Sequence, residues 1–136
     1  MGDEVRVVIE SDSDIVLARE HGRVIGKSIG FTATDLTIIA TAISEVARNI
    51  LVFAHTGEIS MSRVNQNGRH GIEITAQDKG PGIKDISLAM QDGYSTGRGL
   101  GVGLPGSRRL MDEFQVVSSP GDGTTVTMRK WVAPNG

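Results

Sequence analysis

Between Leu36 and Phe53, apolar side chains recur at steps of three and four: Leu36, Ile39, Ile43, Val46, Ile50 and Phe53. On a helix these positions form one continuous stripe, a period that no strand matches. A stripe this long cannot face water along its whole length, so the rest of the chain must supply a surface to cover it. Thr32 opens the helix, and with Asp35 it resembles a capping box in which Asp stands where Glu is usual. "HTG" (55–57) closes it.

The flanking segments supply that surface. "EVRVVIE" (4–10) reads as a strand, and Ile15, Ala18, Gly22, Ile25 and Ile29 fall at helical spacing from Asp14 to Ile29. Asp12, Ser13 or Asp14 caps this first helix and Gly30 ends it. "EISMSRV" (58–64) and "RHGIEITAQ" (69–77) read as two strands joined by a tight turn at Asn67-Gly68. "PGSRRLMDEF" (105–114) reads as a short helix with Pro105 near its first turn. "FQVVSS", a "PGDG" turn and "TTVTMRKWV" (124–132) make a final hairpin. The order β-α-α-β-β-(loop)-α-β-β implies an α+β fold: a two-layer α/β sandwich with a mixed, mostly antiparallel sheet and helices on one face.

A length of 136 residues suits a single domain, 1–136, long enough to bury a core. The net charge of −2 gives no reason to expect nucleic acid as a partner. No apolar run approaches the roughly 18 residues of a membrane span, and "MGDEVRVVIE" is too acidic for a signal peptide, so no membrane partner is expected. Zero cysteines exclude disulfides, thiolate metal sites and cysteine nucleophiles, in accord with a cytoplasmic protein. His21, His55 and His70 read as surface or turn residues.

Three features put polar groups at the margins of this core. Glu45 and Asn49 are four residues apart on the flank of the long helix's stripe, either as a solvated pair or aimed into a cleft beside the sheet. Asp78 continues the row Ile72, Ile74, Ala76 by the period of two, either capping the "KGPGI" turn or accepting from a ligand donor such as an exocyclic amine. Gly80 and Gly82 would then leave room for a flat ligand. Thr124 ends the Val126–Met128 row in the same way, as a satisfied strand-end hydroxyl or a site group, and meets Asp78 only if their strands are neighbours.

Six glycines crowd into 93–106, and "GVGLPG" (101–106) fits G-x-G-x-x-G. A dinucleotide-binding turn needs a strand before it and a parallel βαβ unit around it. Here "MQDGYSTGRGL" precedes it and a hairpin follows the helix, so that assignment fails. The eukaryotic-type kinase signatures and the Walker P-loop are absent. What is left is a glycine-rich lid running into a helix N-terminus, where backbone N–H groups cradle phosphates with help from Ser95, Thr96 and Arg98, or else a plain flexible loop.

Taken in order, "SEVARN", "DKGPGI" (78–83), "GRGLGVGL" (97–104) and "GTTVT" (123–127) resemble the N, G1, G2 and terminal Gly-Thr elements of the GHKL (Bergerat-fold) ATPase/kinase superfamily. Within it the whole length resembles the small serine/threonine switch-protein kinases of bacterial partner-switching systems, above all the stressosome type. "ISEVARNI", "GLGVGLPG" and "RLMDEF" carry that likeness. Histidine kinases need a dimerisation domain with a phosphorylated His, and no segment here could be that domain.

The resemblance implies a Bergerat ATP-binding fold with ATP and Mg²⁺ as cofactors. It implies that Asn49 ligates Mg²⁺, that Asp78 accepts from the adenine amino group with Thr124 helping through water, and that Gly80 and Gly82 make room for adenine. Gly99, Gly101 and Gly103 would wrap the phosphates, and Glu45 would be the general base for the attacking hydroxyl. Arg98 falls to the γ-phosphate on a lid shorter than that of the anti-sigma-factor kinases; Arg48 and Pro105 also depart from many relatives. The partners implied are STAS-domain substrates of a stressosome-type complex and a PP2C-type phosphatase that the kinase binds and activates. Two other classes compete: an anti-sigma factor that sequesters a sigma subunit, and a nucleotide-binding module with little activity. The presence of both Glu45 and Asn49 argues against the module.

Overall fold

The computed structural model describes residues 4–80, 103–118 and 121–133. Along the chain run β1 (Val5–Ile9), α1 (Asp12–Ile29), α2 (Ala33–Phe53), β2 (Gly57–Gln66), β3 (Arg69–Asp78), α3 (Gly103–Leu110), β4 (Glu113–Ser118) and β5 (Thr124–Trp131). The element order is the one expected. Thr32 is the N-cap of α2 and accepts from the Asp35 N–H at 3.1 Å. Asn67 and Gly68 both have positive φ, 53° and 81°, which is what a tight two-residue hairpin turn between right-twisted strands requires.

Three local expectations are corrected. The N-cap of α1 is Ser11 rather than Asp12, Ser13 or Asp14. Asp14 instead turns its carboxylate back over the helix start, where Oδ2 accepts from the backbone N–H of Glu10 (2.9 Å) and of Ser11 (3.1 Å). α3 stops at Leu110 rather than 114, because the next residues are held by the far end of β5. The Asp112 N–H donates to the Arg129 carbonyl, Asp112 Oδ2 accepts from the Trp131 N–H, and Glu113 Oε2 accepts from the Trp131 indole N–H. The sheet, expected to be mixed, is antiparallel at every described pairing, in the order β1-β2-β3-β5-β4. Two helices rather than one separate β1 from β2. α1 carries the chain back along the sheet and α2 returns it, whereas a single crossover helix gives a parallel pair.

The register turns the period-two patterns into rows that cross all five strands. Val7, Ile59, Ala76, Val126 and Val116 form one row, and Val5, Met61, Ile74, Met128 and Phe114 the next. These rows face the helices. The stripe of α2 covers them, with Ile39 and Ile43 fully buried and Val46 and Ile50 nearly so. Among the described residues α2 is long and apolar enough to cross a membrane, with a mean hydropathy of 1.6, so the expectation that no segment reaches that threshold does not hold for this helix. Its apolar stripe is spent on the sheet instead, as a core helix. α1 lies close beside α2, where a methyl group at Gly26 would stand 2.6 Å from Leu36 Cδ2.

The opposite face of the sheet is polar, as one solvated side of an antiparallel sheet should be. Glu73 and Arg129 pair across it at 2.8 Å, and Val8 and Val117 are exposed there. His55, in the left-handed region just after α2, and His70, on the hairpin, fit the turn and surface reading, while His21 is half-buried.

Candidate functional site

The helix-facing rows run out of apolar side chains at one pole of the sheet. One step of two beyond Val7–Ile59–Ala76–Val126–Val116 lies the row Ile9, Gly57, Asp78, Thr124 and Ser118. Asp78 and Thr124 are direct register partners, so the strands that had to be neighbours are neighbours. Three adjacent polar side chains thus stand where an apolar core would continue.

Each has a defined partner. Asp78 is half-buried, and its Oδ1 accepts from the Gly80 N–H at 2.9 Å, so the carboxylate does cap the following turn. The Ser118 hydroxyl donates to the Gly123 carbonyl at 2.9 Å and lies 2.8 Å from Thr124 Oγ1. With that proton on Gly123, Thr124 donates to Ser118 and presents its own oxygen as an acceptor. A carboxylate and a hydroxyl oxygen side by side make an acceptor-rich floor, the complement of a ligand edge that carries an amino group. Ser118 was missed in the sequence, although it extends the Phe114–Val116 row by the same rule that found Asp78.

The last turns of α2 lie over this floor. A methyl group at Gly57 would stand 2.7 Å from Ile50 Cγ2, and one at Gly80 would stand 2.6 Å from Ala54 Cβ. The missing side chain at Gly80 therefore admits the end of α2, a protein neighbour as well as any ligand. Gly123 presses on the other side: a methyl group there would overlap the Asp78 carbonyl oxygen and stand 2.8 Å from Lys79 Cα. Its φ of 80° is one that L side chains rarely adopt.

One and two turns back along α2 stand Asn49 and Glu45. Asn49 is half-buried. The Glu45 side chain is only 9% exposed, and Arg48 Nη1 donates to its Oε2 at 2.9 Å. Burial removes the solvated-pair reading for Glu45. A carboxylate this enclosed is costly unless hydrogen-bonded, and Arg48 provides one such bond. Sequence reading noted Arg48 as an unusual residue but not as a partner of Glu45.

Gly103 is the first residue of α3, and Gly106 lies inside that helix. Ser107 of α3 is fully buried, which nothing in the sequence signalled. Gly82, Arg98, Gly99 and Gly101 lie outside the described residues. Among the described residues no three His, Cys, Asp or Glu side chains converge on a metal-sized site.

The model of the histidine kinase-, DNA gyrase B-, and HSP90-like ATPase family matches residues 34–134, which takes in all but the first residue of α2, together with Asp78, Ser118, Thr124 and α3. The serine/threonine-protein kinase RsbT of Bacillus subtilis is 48% identical over 132 residues, 97% of this chain and 99% of that protein. An anti-sigma F factor of Caldanaerobacter subterraneus is 32% identical over 110 residues, 76% of each chain. Among solved structures, the RsbU and RsbW domains of Rv1364c from Mycobacterium tuberculosis superpose with a TM-score of 0.66 at 18% identity. That match covers 96% of this chain and 33% of the other, and it speaks for the shared fold.

Proposed function

We propose, because this chain belongs to the histidine kinase-, DNA gyrase B-, and HSP90-like ATPase family, that it transfers the γ-phosphoryl group of ATP to STAS-domain antagonist or scaffold proteins. It is an enzyme of the protein serine/threonine kinase class, and its likeness to RsbT supports a role in partner-switching signalling. The observation that carries the specific proposal is the pairing of Asp78 with Thr124 at the polar end of the helix-facing sheet, under the helix that bears Glu45 and Asn49.

The acceptor set suits the nucleotide. The Asp78 carboxylate, oriented by the Gly80 N–H, accepts from the adenine amino group, and Thr124 accepts beside it through water. Gly80 and Gly82 leave the ring room, and Gly99, Gly101 and Gly103 wrap the phosphates, with Arg98 at the γ-phosphate. Mg²⁺ characteristically takes one or two protein oxygens and fills its shell with phosphates and water. The Asn49 amide oxygen suits that role.

Bound Mg-ATP supplies the phosphoryl group and neutralises its charge. The chain's own work is then positioning, together with one proton acceptor for the attacking hydroxyl, Glu45. The whole chain, 1–136, acts as one kinase domain in the cytoplasm, and once released from its substrate it also binds and activates a PP2C-type phosphatase. No nucleic acid or membrane enters this scheme.

Relatives named anti-sigma F factor, 32% identical, favour one second reading: capture of a sigma subunit. A single mixture separates the two. The protein is incubated with labelled ATP, Mg²⁺, a STAS-domain partner and a sigma factor. Label on serine or threonine of the STAS-domain protein is the expected result. Stoichiometric sigma binding without such label would overturn the proposal.

A further inference from the structure

The roles assigned above leave Arg48 unused. It stands three residues after Glu45 on α2, with Nη1 donating to Glu45 Oε2 at 2.9 Å. An acid on the N-terminal side of a base at this spacing is a favourable helical pair. Burial is unequal: the Glu45 side chain is 9% exposed and that of Arg48 43%. The guanidinium therefore sits at the rim and reaches down to a carboxylate held below the surface. That asymmetry sets the direction of dependence. The arginine can be solvated without its partner, whereas the enclosed carboxylate leans on the bonds that hold it. A planar guanidinium bound to one carboxylate oxygen also restricts how the carboxylate plane turns, which an ammonium does less well.

We infer that Arg48 is a positioning residue for phosphoryl transfer, holding the Glu45 carboxylate in the orientation that receives the substrate's hydroxyl proton. The inference rests on Glu45 being the proton acceptor of the proposed function. As the serine or threonine oxygen bonds to the γ-phosphorus, its proton passes to Glu45. The bond from phosphorus to the β–γ bridging oxygen breaks, and ADP leaves with that electron pair. Arg48 gives and takes no proton; it fixes the plane and aims the second carboxylate oxygen.

The test is single-turnover transfer from labelled ATP with Mg²⁺ to a STAS-domain substrate, with separate ATP and ADP affinities, for wild type, Arg48→Gln, Glu45→Gln and the double variant. Arg48→Gln keeps a polar, hydrogen-bonding side chain but shortens it and removes the charge. It should slow transfer by roughly ten- to a hundredfold, the scale of a small misplacement in a reacting site, with unchanged ATP affinity. In the double variant it should slow transfer no further than Glu45→Gln alone, because a residue that acts through Glu45 has nothing left to position. Arg48→Lys, which restores charge without the planar fork, should fall between wild type and Arg48→Gln, and it serves as the folding-competent variant should the neutral one melt early.

Wild-type transfer by Arg48→Gln overturns the inference, as do losses that multiply in the double variant. A selective loss of ATP over ADP affinity also overturns it, because it places Arg48 on the γ-phosphate. Two other failures are recognisably different: a wild-type protein that transfers nothing defeats the proposed substrate, and an active Glu45→Gln defeats the base assignment and this inference with it.

Discussion

Gly123→Ala tests how tightly the floor of the site is built. Gly123 sits at φ 80° with the backbone of Asp78 and Lys79 standing where a side chain would begin. Two costs follow from one methyl group. The left-handed backbone costs an alanine about 1–2 kcal/mol, and alanine returns about 0.4–1 kcal/mol by stiffening the unfolded chain. The second cost is steric: the methyl meets the Asp78 carbonyl and Lys79 Cα, main-chain atoms that cannot swing aside as a side-chain tip can. Overpacking of this kind costs about 1–3 kcal/mol, for a net destabilisation near 3 kcal/mol.

Gly121→Ala is the control. Its φ is 86°, yet a methyl group there meets nothing within 4 Å, so only the backbone cost applies, a net of about 1 kcal/mol. An unfolding entropy of about 2.1 cal/mol/K per residue over 136 residues is about 0.29 kcal/mol/K. Thermal unfolding by calorimetry should then show Tm lower by about 10 °C for Gly123→Ala and about 3 °C for Gly121→Ala. If the two variants melt within about 2 °C of each other, the close approach of Gly123 to the Asp78 backbone is not a real constraint.

Other outcomes follow from single contacts. Asp78→Asn exchanges an anionic acceptor for a neutral amide; hydrogen bonds to charged groups contribute about 1.5–3 kcal/mol, so Mg-ATP affinity measured by titration calorimetry should fall roughly ten- to a hundredfold. Affinity within a factor of about two of wild type would remove Asp78 from the nucleotide contacts. Thr32→Ala deletes the acceptor for the Asp35 N–H and should cost about 1 kcal/mol, read as a shift in urea midpoint with an unchanged slope. A changed slope would mean that α2 does more to unfolded-state compactness than a lost cap accounts for.

The parts of the molecule that were readable from sequence are those set by neighbours along the chain. The α2 stripe as far as Ile50, the Thr32 cap and the Asn67-Gly68 turn each depend on residues within a few positions and stand where the pattern put them. Phe53, expected to end the stripe, is 42% exposed because the helix runs out there beyond the core. Asp78 and Thr124 could be recognised one strand at a time, but their adjacency depends on β3 pairing with β5, a strand order that no local pattern encodes. The end of α3 was misread for the same reason, since Asp112 and Glu113 leave helical geometry to serve the nitrogens of Trp131. Arg48 shows the limit from the other side. Its spacing from Glu45 was visible, but the burial that gives the pair its meaning comes from the packing of the rest of the fold around α2.

The two faces of α2 are bound by a common phase. Ile39, Ile43, Val46 and Ile50 lock its rotation against the sheet, and Glu45 and Asn49 ride on the same turns. Inserting one residue between Ile39 and Glu45 would rotate everything beyond it by about 100°, exchanging core for solvent and turning both polar groups out of their present orientation. This stretch can therefore diverge by substitution but not by a change of length, because α2 cannot turn without unmaking the core.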